Sequence, residues 1–416
     1  MASILIIGNG AAGNSAADAI RRADPDVSII MVAREELPEY SACALPDYLS
    51  GWISREQLFV KQWRDYRQSN ISMLGGRDVV RIDTGQKRLV TNREEIRYDR
   101  LILATGSRPI IPPVPGHDLS GNFAVKTVAD IEAIMVHRPK RVVVVGSGNI
   151  GIEMAEALHK QDCRVILVEM MDQILPRLFD REPADRILEI LAAQGIEVLT
   201  GARLVAVNGR NSVEEAVAGE RVLACDTIVW AAGMRQNVDF ARDAGIQTGE
   251  LGGIKVDAFL QTSCSGIYAC GDCIESIDML TGRPALSLLW PNAKRQGAVA
   301  GLNSIGHQVA YEGAVSLVVE EIFGVPVASL GLTAQALIGE PVRLLEGESH
   351  ERYWRLLLVD DQIMGMQVIG ETSGLGAVMA MMKNRISVSD FHKIVSDPDL
   401  VRTASWYLPA SQFLIP

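Results

Sequence analysis

The stretch "SILIIGNGAAGNSAADAIRR", residues 3–22, runs from an apolar segment straight into glycines at positions 8, 10 and 13 and on into an alanine-rich segment. Ile4–Ile7 reads as a buried parallel strand, the glycines as a tight turn, and the alanines as a helix packed back on the strand. The three glycines of this G-x-G-x-x-G spacing do different things. Gly8 makes the turn, Gly10 lets backbone approach a pyrophosphate, and Gly13 lets helix and strand pack closely. Ala11 and Ala12 then open the helix, whose free N–H groups and positive dipole end suit a phosphate. A second apolar strand, "VSIIMV" (residues 27–32), follows and ends in "AREE". Arg34 and Glu35 are the candidate ribose-side residues there, with Glu36 as a substitute for Glu35 and plain solvation as the alternative for either.

The unit recurs in "RVVVVGSGNIGIEMAEALHKQDCRVILVE", residues 141–169. Gly146, Gly148 and Gly151 repeat the spacing, Asn149 and Ile150 open the helix, and Glu169 closes the next strand about 20 residues on, where a carboxylate accepts ribose hydroxyls. A carboxylate at that strand end repels a 2′-phosphate, so NADH is favoured over NADPH in this second site. One such motif is weak evidence. Two, each between a strand and a helix, are strong, and they imply two dinucleotides in one chain. The simplest chemistry joining them is hydride transfer from a nicotinamide to a flavin.

Composition agrees with this reading. A chain of 416 residues is too long for one small core, and its 37 glycines fit an α/β protein with many strand-to-helix turns. The formal net charge of −11 argues against nucleic acid as a partner, since binding to phosphate chains wants a basic face. No apolar run approaches the roughly 20 residues needed to span a bilayer, so no membrane association is expected. The N-terminus has no basic leader and enters the glycine motif at once, which leads to an expectation of a cytoplasmic protein. The six cysteines are then thiols rather than a disulfide framework. Cys163 and Cys225 sit in or beside apolar runs and read as packing residues. No Cys/His grouping has ligand spacing, so no metal is expected.

Further segments resemble the pyridine nucleotide–disulfide oxidoreductase superfamily, and the resemblance covers essentially the whole chain. "YDRLILATGSRP" (98–109) is similar to the family's return strand from its FAD domain, with Thr105 and Gly106 at the crossing. "TIVWAAGMRQN" (227–237) is similar to the exit from the NADH domain, with Gly233 at the turn. "GIYACGDC" (266–273) resembles the second FAD motif, which implies that Asp272 hydrogen-bonds the ribityl chain. By the same resemblance Val79, in "RDVVRID", meets the adenine through its backbone, and Ala293, in "WPNAKRQG", lies at the start of a helix pointing at the flavin ring. Glu153 matches a family position near the nicotinamide; a surface glutamate is the plain alternative.

The implied fold is α/β, with two Rossmann-like dinucleotide-binding domains and a C-terminal α+β domain. The FAD domain is split, taking residues 1–112 and 240–308, with the NAD(H) domain inserted at 113–239. Residues 309–416 carry no nucleotide motif and alternate strand-like runs with a helix-like one. In the family this last domain makes the homodimer, with its end near the partner's active site.

"EYSACALPDYL" (39–49) places Cys43 alone; the next cysteine is Cys163, which excludes an intramolecular dithiol at this point. "C-A-L-P" resembles the single-cysteine branch of the family, which contains coenzyme A disulfide reductases, NADH oxidases and peroxidases, and polysulfide reductases. There the cysteine precedes a helix abutting the flavin, and a helix N-terminus should hold a thiol below its free pKa of about 8.5. Ala11 stands where the oxidases and peroxidases of the branch carry a histidine, which weakens an oxygen or peroxide reading. "IRRAD" (20–24) resembles the coenzyme A disulfide reductases, whose arginine at the position of Arg22 contacts CoA phosphates; a solvated helix end is the alternative. Glu39 and Ala42 depart from that subfamily's serine and asparagine, and a carboxylate near the thiol raises its pKa. Cys270 and Cys273 form a C-x-x-C, but the family reading needs Gly271 and Asp272 at the flavin, so neither redox nor metal work is expected of them.

The expected function is an FAD-dependent oxidoreductase that takes electrons from NADH and reduces a disulfide, CoA-disulfide or polysulfide through Cys43. An NADH-dependent reductase of a small electron carrier, similar to rubredoxin and ferredoxin reductases, is the main alternative, with an NADH oxidase or a flavoprotein acting mainly by partner binding behind it.

Overall fold

Ser3–Ile7 forms the middle strand of a five-stranded parallel sheet, flanked by Ser28–Val32 and Arg100–Leu103, with Ile71–Leu74 and Ile267–Ala269 at its edges. The computed structural model describes residues 3–350 and 352–389. Ile4 to Ile7 are all buried, as a strand covered on both faces requires. The first glycine-loop helix, Ala11–Ala23, packs against the helix Trp290–Ser304. A Cβ on Gly297 would strike the Ala12 carbonyl, and one on Gly301 the Ala16 carbonyl, so these glycines set how closely the two helices approach.

A second five-stranded parallel sheet repeats the plan, in the order Glu197–Leu199, Arg164–Val168, Arg141–Val145, Thr227–Trp230, Asn122–Ala124. Its glycine-loop helix is Asn149–His159. Two antiparallel strands, Ser107–Pro109 and Met234–Gln236, pair where the chain passes between the two units.

Leu317–Ile322, Val325–Gly331, Gln362–Gly370, Arg352–Val359 and Arg343–Glu348 form an antiparallel sheet with the helix Leu375–Asn384 against it. Strands and a helix appear here as the sequence implies; residues 390–416 of this segment lie outside the described residues. Ile322, Val327, Tyr353 and Ile369 share one core with Leu45, Leu49 and Ile152. The antiparallel sheet is therefore packed onto the second glycine-loop helix and the segment that follows Cys43.

Candidate functional site

The two glycine loops are built alike. Gly8 (φ 114°) and Gly146 (φ 103°) lie where L side chains are strained, and a Cβ on either would strike a backbone carbonyl, that of Ala104 or of Ala231. A Cβ on Gly13 or Gly151 would collide with the carbonyl of the first glycine of its own loop. Gly10 and Gly148 differ. Among the described residues a Cβ there would meet no atom within 4 Å, and both backbones are extended with φ of −84° and −71°. None of the described residues requires glycine at these two positions. The open space fits close approach of a pyrophosphate, and both helices start without a side-chain cap, leaving their first N–H groups free for it.

At the ribose end the loops part. Glu169 is buried; its Oε2 accepts from Ser147 N (2.9 Å) and Ser147 Oγ (2.7 Å), and its Oε1 from Met171 N (2.9 Å). Glu35 is held by Tyr40, whose hydroxyl donates to its carboxylate at 2.9 Å, and burial raises its pKa. Glu36 is more exposed, its side chain 3.8 Å from Arg93. Arg34 is exposed and pairs with Asp78 at 2.7 Å, next to Val79 at the start of the strand Val79–Asp83.

Gly271 sits between the two helix starts of the first unit, its position for a Cβ lying 2.9 Å from the Ala12 Cβ and 3.9 Å from the Ala293 Cβ. Its N–H donates to Gln296 Oε1 at 2.8 Å. Beside it, Asp272 Oδ2 accepts from Ser107 Oγ (2.8 Å) and pairs with Lys126 Nζ (3.3 Å). Thr105 Oγ1 donates to the Asn237 carbonyl at 2.8 Å, and Asn237 N donates to the Gly106 carbonyl at 3.0 Å. Gly233, with φ 111°, accepts from Ile110 N at 2.9 Å. Thr105 and Gly106 thus lie at one end of the two crossing strands and Gly233 at the other. Cys270 and Cys273 are buried free thiols, with Cys273 Sγ donating to the Cys270 carbonyl at 3.2 Å. Among the described residues no group of three or more His, Cys, Asp and Glu is arranged to hold a metal ion, and no helix is long and apolar enough to cross a membrane.

Cys43 lies in a single 3-10 turn, Ala42–Ala44, ahead of the helix Leu45–Ser50. The residue is exposed, yet enough protein crowds the sulfur that lost hydration pushes the thiol up, with the charges of Glu153 and Glu320 adding to the effect and that of Lys126 opposing it. The result is a pKa of about 11, not one below 8.5 as the sequence led us to expect. The helix after Cys43 has only 6 residues, too short for much of a dipole, and two carboxylates arrive from distant parts of the chain. Asp272, at the flavin motif, and Glu153, on the second glycine-loop helix, both act electrostatically on this sulfur. Cys43, Asp272 and Glu153 therefore converge, although the sequence spreads them over residues 43 to 272.

Burial, and then the carboxylate of Glu320 on the strand Leu317–Ile322, raise Glu153 well above the carboxylate range. Glu39 is 2% exposed, and burial lifts it from 4.5 to about 7, with Lys61 and Lys294 opposing. Its backbone N–H donates to Tyr66 Oη (3.0 Å), which donates to Asn9 Oδ1 (2.7 Å) or Asn14 Oδ1 (2.9 Å) of the first glycine loop. Arg22 is exposed at the helix end, with no ion pair or side-chain hydrogen bond found for it among the described residues. Its neighbour Arg21 is taken up by backbone carbonyls, including those of Ser69, Val27 and Asn70.

Sequence reasoning missed Glu320, Lys126, Ser107 and Tyr66. Ser107 stood within the return strand, and its hydroxyl next to Gly106 was a readable signal. Glu320 carried none, because an alternating strand with two adjacent glutamates, Glu320 and Glu321, reads as solvated.

The model for the pyridine nucleotide-disulphide oxidoreductases matches residues 2–297. An NADH oxidase of Methanocaldococcus jannaschii is 33% identical, over 97% of this chain and 94% of that one. A CoA-dependent NAD(P)H sulfur oxidoreductase of Pyrococcus abyssi is 29% identical, over 93% and 92%. Among solved structures, the NAD-dependent persulfide reductase of A. fulgidus is similar with a TM-score of 0.89 at 29% identity, covering 93% of this chain and 78% of that one. The chain belongs to the pyridine nucleotide-disulphide oxidoreductase family, whose cofactors are FAD and a pyridine nucleotide.

Proposed function

We propose that this chain takes electrons from NADH through FAD and reduces a disulfide, CoA-disulfide or polysulfide by way of Cys43. The observation that supports the reading is that Cys43, an exposed thiol, lies within electrostatic reach of Asp272 from one glycine-loop unit and Glu153 from the other. The names of the P. abyssi and A. fulgidus relatives support the sulfur substrate. When bound, FAD supplies a hydride acceptor and a source of electron pairs for sulfur.

The chain's own residues do the rest. Gly8, Gly10 and Gly13, with the N–H groups of Ala11 and Ala12, take the FAD pyrophosphate, and Glu35 or Arg34 faces its ribose. Val79, Thr105, Gly106 and Ala293 offer backbone contacts, and Asp272 is held in place by Ser107 and Lys126. Gly146, Gly148 and Gly151, with Asn149 and Ile150, take the NADH pyrophosphate, Glu169 selects the 2′-hydroxyl, and Gly233 shapes the exit. Cys43 attacks one sulfur of the substrate, the S–S bond breaks and the other sulfur leaves as a thiolate; the electron pair that enters from NADH then reduces the mixed disulfide and frees Cys43 for the next cycle. Arg22, exposed in the last turn of its helix, suits the phosphates of a CoA-bearing substrate. In this reading residues 1–112 and 240–308 form the FAD domain, 113–239 the NAD(H) domain, and 309–416 the homodimer-forming domain.

The test is Cys43→Ser. FAD binding and flavin reduction by NADH should stay near wild type, since neither glycine loop includes Cys43, while turnover of disulfides and polysulfides should fall at least a hundredfold, because a hydroxyl neither attacks sulfur nor holds a mixed disulfide. Full retention of that turnover would overturn the reading. An NADH oxidase is the second reading, favoured by the name of the M. jannaschii relative and by the raised thiol. Oxygen uptake that exceeds disulfide turnover in the wild type would select it.

A further inference from the structure

One residue stands between the first two glycines of each loop, Asn9 in the first and Ser147 in the second. Asn9 is spent away from the strand-end carboxylate of its unit. Its Nδ2 donates to the Leu37 carbonyl at 2.8 Å, and its Oδ1 accepts from Tyr66 Oη at 2.7 Å and from Asn14 Nδ2 at 2.9 Å. Glu35 is left to the Tyr40 hydroxyl. Ser147 does the opposite. It is fully buried, and its N–H, at 2.9 Å, and its hydroxyl, at 2.7 Å, both close on one oxygen of Glu169, Oε2.

A carboxylate oxygen offers two lone pairs, so Ser147 alone fills Oε2. Oε1 accepts from Met171 N at 2.9 Å and keeps its second lone pair open. Glu169 is 6% exposed, so water cannot replace a lost donor freely. Turning the carboxyl would break both bonds at Oε2 and leave a buried charge short of donors, which is costly. The grip therefore decides which oxygen is offered outward. Ser147 is anchored independently of its side chain, because its carbonyl accepts from Leu175 N at 3.0 Å. Removing the hydroxyl thus takes one bond from Glu169 and leaves the loop backbone tied.

We propose that Ser147 is a positioning residue for dinucleotide choice. Its hydroxyl holds Glu169 with Oε1 as the free acceptor, so that the carboxylate takes a ribose hydroxyl and repels a 2′-phosphate. The inference rests on reading Glu169 as the ribose acceptor of the second unit, and it adds the residue that sets how well that acceptor discriminates. Ser147 acts through Glu169 and not on any reacting atom. The residue between the first two glycines thereby does different work in the two loops: it ties Asn9 to neighbouring protein and Ser147 to the nucleotide's selector.

The experiment uses the FAD-loaded protein as wild type, Ser147→Ala, Glu169→Ala and the double variant. NAD⁺ and NADP⁺ are titrated calorimetrically, since they carry the same adenosine ribose as the reduced forms and leave the flavin oxidised. Ser147→Ala should weaken NAD⁺ about tenfold, the size of a lost hydrogen bond to a charged group, and change NADP⁺ less than about threefold. In the Glu169→Ala background the same substitution should alter NAD⁺ affinity by less than about twofold, because the group it positions is gone. An equal loss for NAD⁺ and NADP⁺ would mean a loosened loop and overturn the proposal. So would a loss of NAD⁺ affinity as large without Glu169 as with it. If Glu169→Ala weakens NAD⁺ while Ser147→Ala does not, the role of Ser147 alone falls. If Glu169→Ala leaves both affinities at wild type, the reading of Glu169 fails and takes the proposal with it.

Discussion

The two glycine-loop units share a backbone plan and differ in what their second strands deliver. In both, the first and third glycines are required by protein atoms, and the middle one by none. In the second unit a buried Glu169 is locked by three hydrogen bonds; in the first, Glu35 shares one tyrosine hydroxyl and is pushed up by burial. The lesson is that the motif specifies a turn and a phosphate approach, while the ribose end is free to diverge and set which dinucleotide each unit prefers.

The comparison breaks most sharply at the glycines. Gly13→Ala and Gly151→Ala should each cost about 3 kcal/mol, read by urea denaturation, because the new methyl meets backbone that has no room to move. Gly10→Ala and Gly148→Ala should change stability by about 1 kcal/mol or less, since the space is open and the backbone unstrained. Each should nevertheless weaken one dinucleotide, FAD for Gly10 and NADH for Gly148, by fluorescence titration. Equal stability losses at middle and third glycines would show that the open space is not a ligand's.

Glu39, under the first loop, has no counterpart in the second. Its carboxyl rises from 4.5 to about 7 on burial, so the unfolded chain ionises first as pH climbs. Its contribution is therefore fully favourable below pH 4.5 and is lost as pH rises through 7, at most about 3 kcal/mol. Glu39→Gln should flatten the fall in stability measured by denaturation between pH 5 and pH 8. A slope unaltered by the substitution would place the titration elsewhere.

The smallest expected effect sharpens the ribose contrast. Glu169→Ala should narrow the preference for NADH over NADPH by about tenfold, read from flavin bleaching rates, through loss of repulsion of the 2′-phosphate. Glu35→Ala should leave that ratio alone.

Both sheets and both glycine helices were legible in the sequence, because strand, turn and helix there follow one another within a few residues. Glu169 was legible for the same reason, standing at a fixed offset from its glycine loop, whereas Asp272 was read only from the resemblance of "GIYACGDC" to a family motif. What was not legible came from afar. The acidity of Cys43 depends first on burial and then on the charges of carboxylates at positions 153 and 320, and no local pattern announces either. Tyr66 reaches Asn9 and Asn14 across 57 and 52 residues, a link made by tertiary packing alone. The helix after Cys43 was expected from its own sequence, but it is short, and its effect on the thiol was outweighed first by lost hydration and then by those distant charges.

Strand Ile267–Ala269 pairs with Arg100–Leu103, and the helix Trp290–Ser304 closes on Ala12 and Ala16. During synthesis the second sheet has all its strands once residue 230 has emerged, while the first still lacks both an edge strand and its covering helix. The nascent chain thus finishes its later nucleotide fold before its earlier one, and until then Arg100–Leu103 is an open edge able to pair with a neighbouring chain. A ribosome-bound chain halted once residue 250 has left the exit tunnel should therefore display a folded second unit and an N-terminal unit that needs shielding by a chaperone.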